Sequence, residues 1–339
     1  MTRASLTRRR LWALALCALS TPRWAETSRL PDPAPWVPAS ADLVVYVDWS
    51  VLSESPVLRG VETSFIESKR GAEIERFREL TGMDPWRDVW ALAYFTASNE
   101  DAGPAWGLAC YGAFDPKQVI ENLAANGKVR RSEYRETALY DVPDFGPQLG
   151  TSGGDQVLAF PDSTTALFGP AAQVRAMLDA GLGFAPPASE EGALAGALRQ
   201  RTAAETLWVV GVGGRNLPSP LGGASAALAN VPALASFSLS ARVGSNVKIW
   251  ARAETRDTDT AGNLADLVRG IVAMGALQKQ ADESLQELYE SLEVETIDEL
   301  VDISFEVDAD TVREYFGTMA GEGPKRHPAA RRGPSRNPR

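Results

Sequence analysis

Apolar and polar residues alternate most regularly over Leu234–Glu254. Ala235, Phe237, Leu239, Ala241 and Val243 are separated by Ser236, Ser238, Ser240 and Arg242. After Gly244-Ser245-Asn246, the residues Val247, Ile249, Ala251 and Ala253 are separated by Lys248, Trp250 and Arg252. A period of two on both arms predicts a β-hairpin with one face on a core and the other toward water. The arms Val89–Thr96 and Trp106–Phe114 repeat this in the first half of the chain. Shorter strands are expected at Leu43–Val47, Ala138–Val142, Val157–Phe160, Thr164–Phe168 and Leu207–Val212. A last pair, Leu292–Ile297 and Leu300–Val307, turns at Asp298-Glu299 and points Val301, Ile303, Phe305 and Val307 inward.

Helical spacing alternates with these strands. Pro56 opens a region in which Val57, Leu58, Val61, Phe65, Ile74, Phe77 and Leu80 share a face as far as Gly82, and Asp84-Pro85 caps a short turn. Asp115-Pro116 supplies an N-cap and a first helical proline ahead of Val119, Ile120 and Leu123. Gly169-Pro170 starts a helix carrying Val174, Met177 and Leu178, and Ser189 with Glu190 and Glu191 starts another that reaches about Arg201. A longer helix at 260–278 has Ala261, Leu264, Leu267, Val268, Ile271 and Val272 as its stripe, and Leu285, Leu288, Tyr289 and Leu292 form a further one. Asp308 or Asp310 caps the last helix, which holds Val312, Tyr315 and Phe316.

The two halves match in order. Leu43–Val47 answers Leu207–Val212, the arms at 89–114 answer those at 234–254, and Asn122-Leu123-Ala124 answers Asn263-Leu264-Ala265. The expected class is α+β, in two tandem units of antiparallel sheet faced by helices whose matched order suggests a duplication. Residues 42–183 would form the first unit and 189–319 the second. Phe184-Ala185-Pro186-Pro187 marks a linker at 184–188, and the proline-rich stretch 21–41 is a second linker.

The net charge of −10 conceals an asymmetry. Residues 42–319 hold 22 basic and 41 acidic groups, a net of −19, while 320–339 carry six basic residues against one acid. An acidic body repels phosphate backbones, so nucleic acid is excluded as its partner. The tail is too poor in apolar residues to order itself.

Residues 1–20 read as a signal peptide. Arg3, Arg8, Arg9 and Arg10 precede the apolar Leu11–Leu19, and Ala18 and Ser20 suit cleavage. The apolar run is too short to cross a bilayer. Thr7-Arg8-Arg9-Arg10-Leu11 also resembles a twin-arginine signal, and Leu14-Ala15-Leu16-Cys17 a lipoprotein box, which makes a lipid anchor at Cys17 the minor alternative to a periplasmic or secreted protein. Asn216–Ala241 has no charged residue but is broken by Pro218, Pro220 and Pro232, and reads as a loop leading into the hairpin.

Candidate chemistry is sparse. The only histidine, His327, lies in the tail, so a serine or cysteine nucleophile in the body has no histidine base and histidine metal sites are excluded there. Cys110 sits on an apolar strand, where core packing explains it. Gly211-x-Gly213-Gly214 follows a strand, but Asn216 stands where a dinucleotide loop has its third glycine. Ser245 and Lys248 have the spacing of a serine–lysine pair but fall on a hairpin turn. Asp84, Asp88 and Asp115, and Glu295, Asp298, Glu299 and Asp302, could supply paired carboxylates, although capping accounts for Asp84 and Asp115. Trp49, Trp86, Trp90 and Trp106, with Tyr46, Tyr94 and Tyr111, suit a core or an apolar groove, and Trp250 points outward by strand alternation. No catalytic, cofactor or metal residue is assigned.

The strings Ala41-Asp42-Leu43-Val44-Val45-Tyr46-Val47-Asp48, Thr81-Gly82-Met83-Asp84-Pro85, Phe114-Asp115-Pro116 and Tyr134-Arg135-x-x-x-Leu139-Tyr140 resemble exported bacterial proteins of unknown function with a signal or lipoprotein leader. That resemblance implies a two-part α+β body and no activity. The functional expectation is a non-catalytic binding or scaffold protein of the bacterial envelope, with an envelope protein or a small ligand as partner. The alternatives are a histidine-free carboxylate hydrolase acting on a glycan and a carrier of a hydrophobic ligand.

Overall fold

In a computed structural model the residues described are 32–58, 71–99, 103–127, 129–142, 156–201, 205–213, 234–278 and 291–313. The signal segment, the chain up to Pro31, Val61 and Phe65, most of the uncharged loop, the Leu285–Tyr289 stripe, Tyr315 and Phe316, and the tail with His327 lie outside them.

The strands are β1 (Leu43–Asp48), β2 (Val89–Asn99), β3 (Gly103–Gly112), β4 (Arg130–Tyr134), β5 (Thr137–Asp141), β6 (Gln156–Ala159), β7 (Thr165–Pro170), β8 (Leu207–Val212), β9 (Leu234–Val243), β10 (Asn246–Thr255), β11 (Glu293–Ile297) and β12 (Leu300–Asp308). The helices are α1 (Trp49–Glu54), α2 (Gly71–Thr81), α3 (Pro85–Asp88), α4 (Pro116–Asn126), α5 (Ala171–Gly181), α6 (Ala195–Arg199) and α7 (Thr258–Gln278), and a 3-10 turn spans Ala34–Trp36.

All these strands lie in a single 12-stranded sheet, in the order β11-β12-β10-β9-β8-β1-β2-β3-β7-β6-β5-β4. Every neighbouring pair is antiparallel. The α+β class therefore holds, with an antiparallel sheet faced by helices. The two halves meet at the antiparallel pair β1–β8, and outward from it the orders β1-β2-β3-β7-β6 and β8-β9-β10-β12-β11 run alike.

Register ties one row of side chains across the whole sheet. It begins at Ser132 and passes through Leu139, Ala159, Leu167, Ala109 and Ala93 to Tyr46. From there it continues through Trp208, Ser240, Trp250 and Ser304 to Glu293. Because side chains alternate between faces, these residues share one face. In the first half that face is apolar and closed by α5, whose Val174, Met177 and Leu178 are fully buried. In the second half the same face is polar. The opposite face of that half is closed by α7, which packs Ala261 and Ala265 on Val301 and Leu264 on Leu234 and Phe237. The opposite face of the first half carries α4, with Val119 and Leu123 against Phe168 and Val142.

Several helices begin where the sequence places their caps. The Asp115 carboxylate accepts from the Gln118 N–H at 3.1 Å. Asp84 accepts from the Trp86 N–H at 3.0 Å, and Asp88 returns the favour by accepting from the Asp84 N–H at 2.8 Å, a reciprocal arrangement of the capping-box kind.

Other expectations shift. The helix expected from Ser189 starts at Ala195, because Gly192 has φ +104°, outside any helical conformation. Leu234 is buried in place of Ala235, since the β9–β10 register slips between Glu254 and Thr255. Leu267 is exposed and Ala265 takes its place against the sheet. Strand β4 has no apolar alternation and is invisible to it.

The proline-rich stretches read as linkers pack on one another. The Ala188 N–H donates to the Val37 carbonyl at 2.8 Å, Pro38 bridges Pro187, and Ala34, Val37 and Ala188 are buried. A β-carbon on Gly181 would overlap the Trp36 ring.

The β4–β5 turn is made by Arg135 and Glu136 at φ 51° and 61°. Both are left-handed, the geometry of a two-residue hairpin turn that glycine and asparagine favour. Arg135 is held there by Asp179 of α5 at 2.9 Å and by the Phe184 ring 4.0 Å from its guanidinium carbon. Glu136→Gly should therefore raise the unfolding free energy by about 1 kcal/mol, read from the denaturant midpoint.

Candidate functional site

The face left open in the second half, among the described residues, forms a groove of about 790 Å³. Its floor is the outward row of β8, β9, β10, β12 and β11. Trp208, Ser236, Ser238, Ser240, Trp250, Arg252, Glu254, Asp302 and Ser304 line it, with Glu293 and Glu295 on the outer strand. One wall is α6 and the residues after it, through Gly196, Ala197, Gln200 and Arg201. Alternation explains this composition: among the described residues no helix covers the positions between the apolar ones on each strand, so they can be polar.

Trp208 anchors the inner end. It is nearly fully buried, stacks on Tyr46 at a centroid distance of 5.3 Å, and has the Arg201 guanidinium 4.3 Å from its ring. Trp250 lies half-buried in the middle, with Arg242 at 5.6 Å and Lys248 at 5.9 Å from its centroid. These are cation–π distances.

Several of the charged groups are engaged across strands. Arg252 binds Asp302 through both ends, Nε to Oδ1 at 2.6 Å and Nη2 to Oδ2 at 2.8 Å, and this bond raises the guanidinium pKa further. Ser236 donates to Glu254 at 2.7 Å. Lys248 pairs with Glu306 at 3.1 Å, and the Asn246 amide and that lysine hold the Glu306 carboxyl below its ordinary range. Register places Glu295 opposite Asp302 and Glu293 opposite Ser304. The groove thus presents donors and acceptors in fixed rows, suited to a ligand rich in polar groups.

The candidates named from sequence fall mostly elsewhere. Asp84 is held by its cap and by Arg78, with both carboxylate oxygens 3.1 Å from Nη2. Asp88 has its carboxyl pulled down chiefly by its hydrogen bond from Arg87, with burial pushing the other way and the Asp84 N–H adding a smaller pull down. Asp298 is the positive-φ residue of the last hairpin, and the Glu299 carbonyl accepts from Thr255. Lys248 is engaged with Glu306, and the Ser245 carbonyl accepts from the Ala309 N–H. Cys110 keeps some surface, yet burial pushes its thiol up to about 12, so it is a thiol rather than a nucleophilic thiolate at neutral pH. Gly213 lies directly against the Leu234 backbone, where a β-carbon would overlap. Trp49 packs on Trp86 and Trp106 on Phe168.

Of the sequence candidates, Trp250, Glu295 and Asp302 are brought together. Trp208, Arg201, Arg242 and Arg252 were missed, although the outward positions of the same alternation mark Trp208, Arg242 and Arg252. Among the described residues no cluster of three or more His, Cys, Asp or Glu could hold a metal ion. Among the same residues no helix is long and apolar enough to cross a membrane.

No family model matches the chain, and no curated protein matches it. Two solved structures, crystal forms I and IV of a protein called TP0453, are similar to it at 10% identity and a TM-score of 0.45. Form I spans 85% of this chain and 97% of its own, and form IV 84% and 96%.

Proposed function

We propose that the chain is a non-catalytic binding or scaffold protein of the bacterial envelope that takes a polar, hydroxyl-rich ligand such as a cell-wall glycan in the groove of its second half. One observation carries this reading: the sheet face that α5 closes in the first half is, among the described residues, open in the second and lined by serines, paired arginine and acid side chains, and Trp250. The like strand order of the halves supports a duplication in which one copy kept its helix on this face and the other gave the face to a ligand. The leader-like residues 1–20 and the acidic body support export. The charged and serine-rich lining disfavours carriage of a lipid, whose hydrocarbon would strip water from these polar groups. Asp84 and Asp115, the carboxylates favoured for a hydrolase, serve as helix caps outside the groove.

The test is calorimetric titration with soluble cell-wall glycan fragments. Saturable binding is expected, weakened about tenfold or more in Trp250→Ala and Arg252→Ala with melting temperatures little changed. Absence of saturable binding, or equal binding by both variants, overturns the reading, and cleavage of the fragments converts it to the hydrolase.

A further inference from the structure

We infer that the two outer strands of the sheet join copies of this chain head to tail, β4 of one molecule pairing antiparallel with β11 of the next. The inference is independent of what the groove binds.

Among the described residues both strands pair on one side only. Such edges are templates for another strand, and proteins blunt them with charge. Here the charges differ in sign. Strand β4 carries Arg130 and Arg131 against Glu133, all exposed. Strand β11 carries Glu293 and Glu295, both exposed, with no basic residue, and Asp298 and Glu299 follow it. Antiparallel pairing of β11 with another β11 sets glutamates against glutamates, whereas β4 against another β4 about Ser132 sets Arg131 opposite Glu133 and leaves the acidic β11 edge of both copies uncovered. The β11–β11 pairing is penalised by like charges placed opposite. The β4–β11 pairing is complementary in charge and uses both edges.

Geometry agrees. An even number of strands, each antiparallel to the last, leaves β4 and β11 running in opposite directions. A second copy added in the same orientation therefore continues an antiparallel ladder. The row that ends at Ser132 on one edge ends at Glu293 on the other, so the same face is presented at both. Aligning Ser132 with Glu293 sets Arg130 opposite Glu295 and diagonal to Glu293, both within cross-strand reach. Arg269 of α7 donates to the Val294 carbonyl at 2.9 Å, so this edge also carries a basic side chain that must move if that carbonyl faces the incoming strand. A heterologous contact of this kind adds copies in series unless it closes into a ring.

The experiment is sedimentation velocity on the purified full chain across a concentration series at low salt, with the same samples near 1 M salt, where the Debye length falls to about 3 Å. Mass-average size should rise with concentration at low salt and fall at high salt. The exposed double variants Glu293→Lys with Glu295→Lys and Arg130→Glu with Arg131→Glu should each weaken association at least tenfold, with unchanged circular dichroism. An equimolar mixture of the two should regain it, because each reversed edge then meets a complementary one. Glu293→Gln with Glu295→Gln should fall between wild type and reversal. A wild-type chain that stays monomeric throughout overturns the inference. So does a dimer indifferent to either reversal, and so does a mixture that fails to reassociate. Trp250→Ala, which disables the groove, should leave association unchanged and so separates the two readings.

Discussion

Phe95→Ala is expected to lower the unfolding free energy by about 3–5 kcal/mol, most of what a marginally stable domain has to lose. Phe95 is fully buried on the face of β2 beneath α5. Its ring occupies the space above Gly107, where a β-carbon would overlap it and would stand 2.9 Å from the Met177 sulfur. The absent side chain at 107 thus makes room for one ring and one thioether, which together seat α5 on the sheet. Truncating the ring leaves a cavity walled by β-sheet backbone, which cannot collapse to fill it. The denaturant midpoint should fall, and amide exchange in α5 should quicken more than in α7, on the other face of the other half. Gly107→Ala should cost about 1–3 kcal/mol alone through overlap, and less in the Phe95→Ala background, where its methyl enters the vacated space. A loss below about 1 kcal/mol for Phe95→Ala would show that this ring does not seat the helix.

The alternation of the β9–β10 hairpin was legible because one face is buried and one is wet, and Trp250 was marked as outward for the same reason. The caps at Asp84 and Asp115 were legible because capping is local chemistry, decided within three residues. What escaped has equally definite causes. Edge strand β4 buries little, so Arg130-Arg131-Ser132-Glu133-Tyr134 needs no period of two. The joining of both halves through β1 and β8 is a long-range pairing of two apolar strands, and neither Leu43–Asp48 nor Leu207–Val212 names its neighbour. The groove escaped as a site because no residue type in it is unusual. What distinguishes it is that α5 has no counterpart over those serines and arginines among the described residues, and a covering helix is a property of packing rather than of spacing. Pro33 and Pro35 suggest extended chain, but Ala34–Trp36 turns as a 3-10 helix, and the stretch packs on 187–188 instead of hanging free.

That packing gives the remaining large effect: Gly192→Ala should cost about 2–5 kcal/mol and weaken the groove with it. Two penalties add at this position. Its φ of +104° lies where a residue with a β-carbon is strained by about 1–3 kcal/mol. The new methyl would also overlap the Ala39 carbonyl oxygen, a backbone atom that can yield only by moving the segment it belongs to. That segment, 34–41, is held by the Val37 carbonyl on the Ala188 N–H and by the Pro38–Pro187 bridge, so the strain passes into both stretches at once. Gly192 is three residues ahead of α6, whose N-terminal Ala195 N–H donates to the Gly192 carbonyl at 3.3 Å. Displacing it shifts Gly196, Ala197 and Gln200, which line the groove together with Trp208. Gly196→Ala, with open space where its β-carbon would stand, is the matched control and should change the midpoint little. If Gly192→Ala melts with the wild type, the two proline-rich stretches do not bear on each other in solution, and α6 is positioned by something other than this contact.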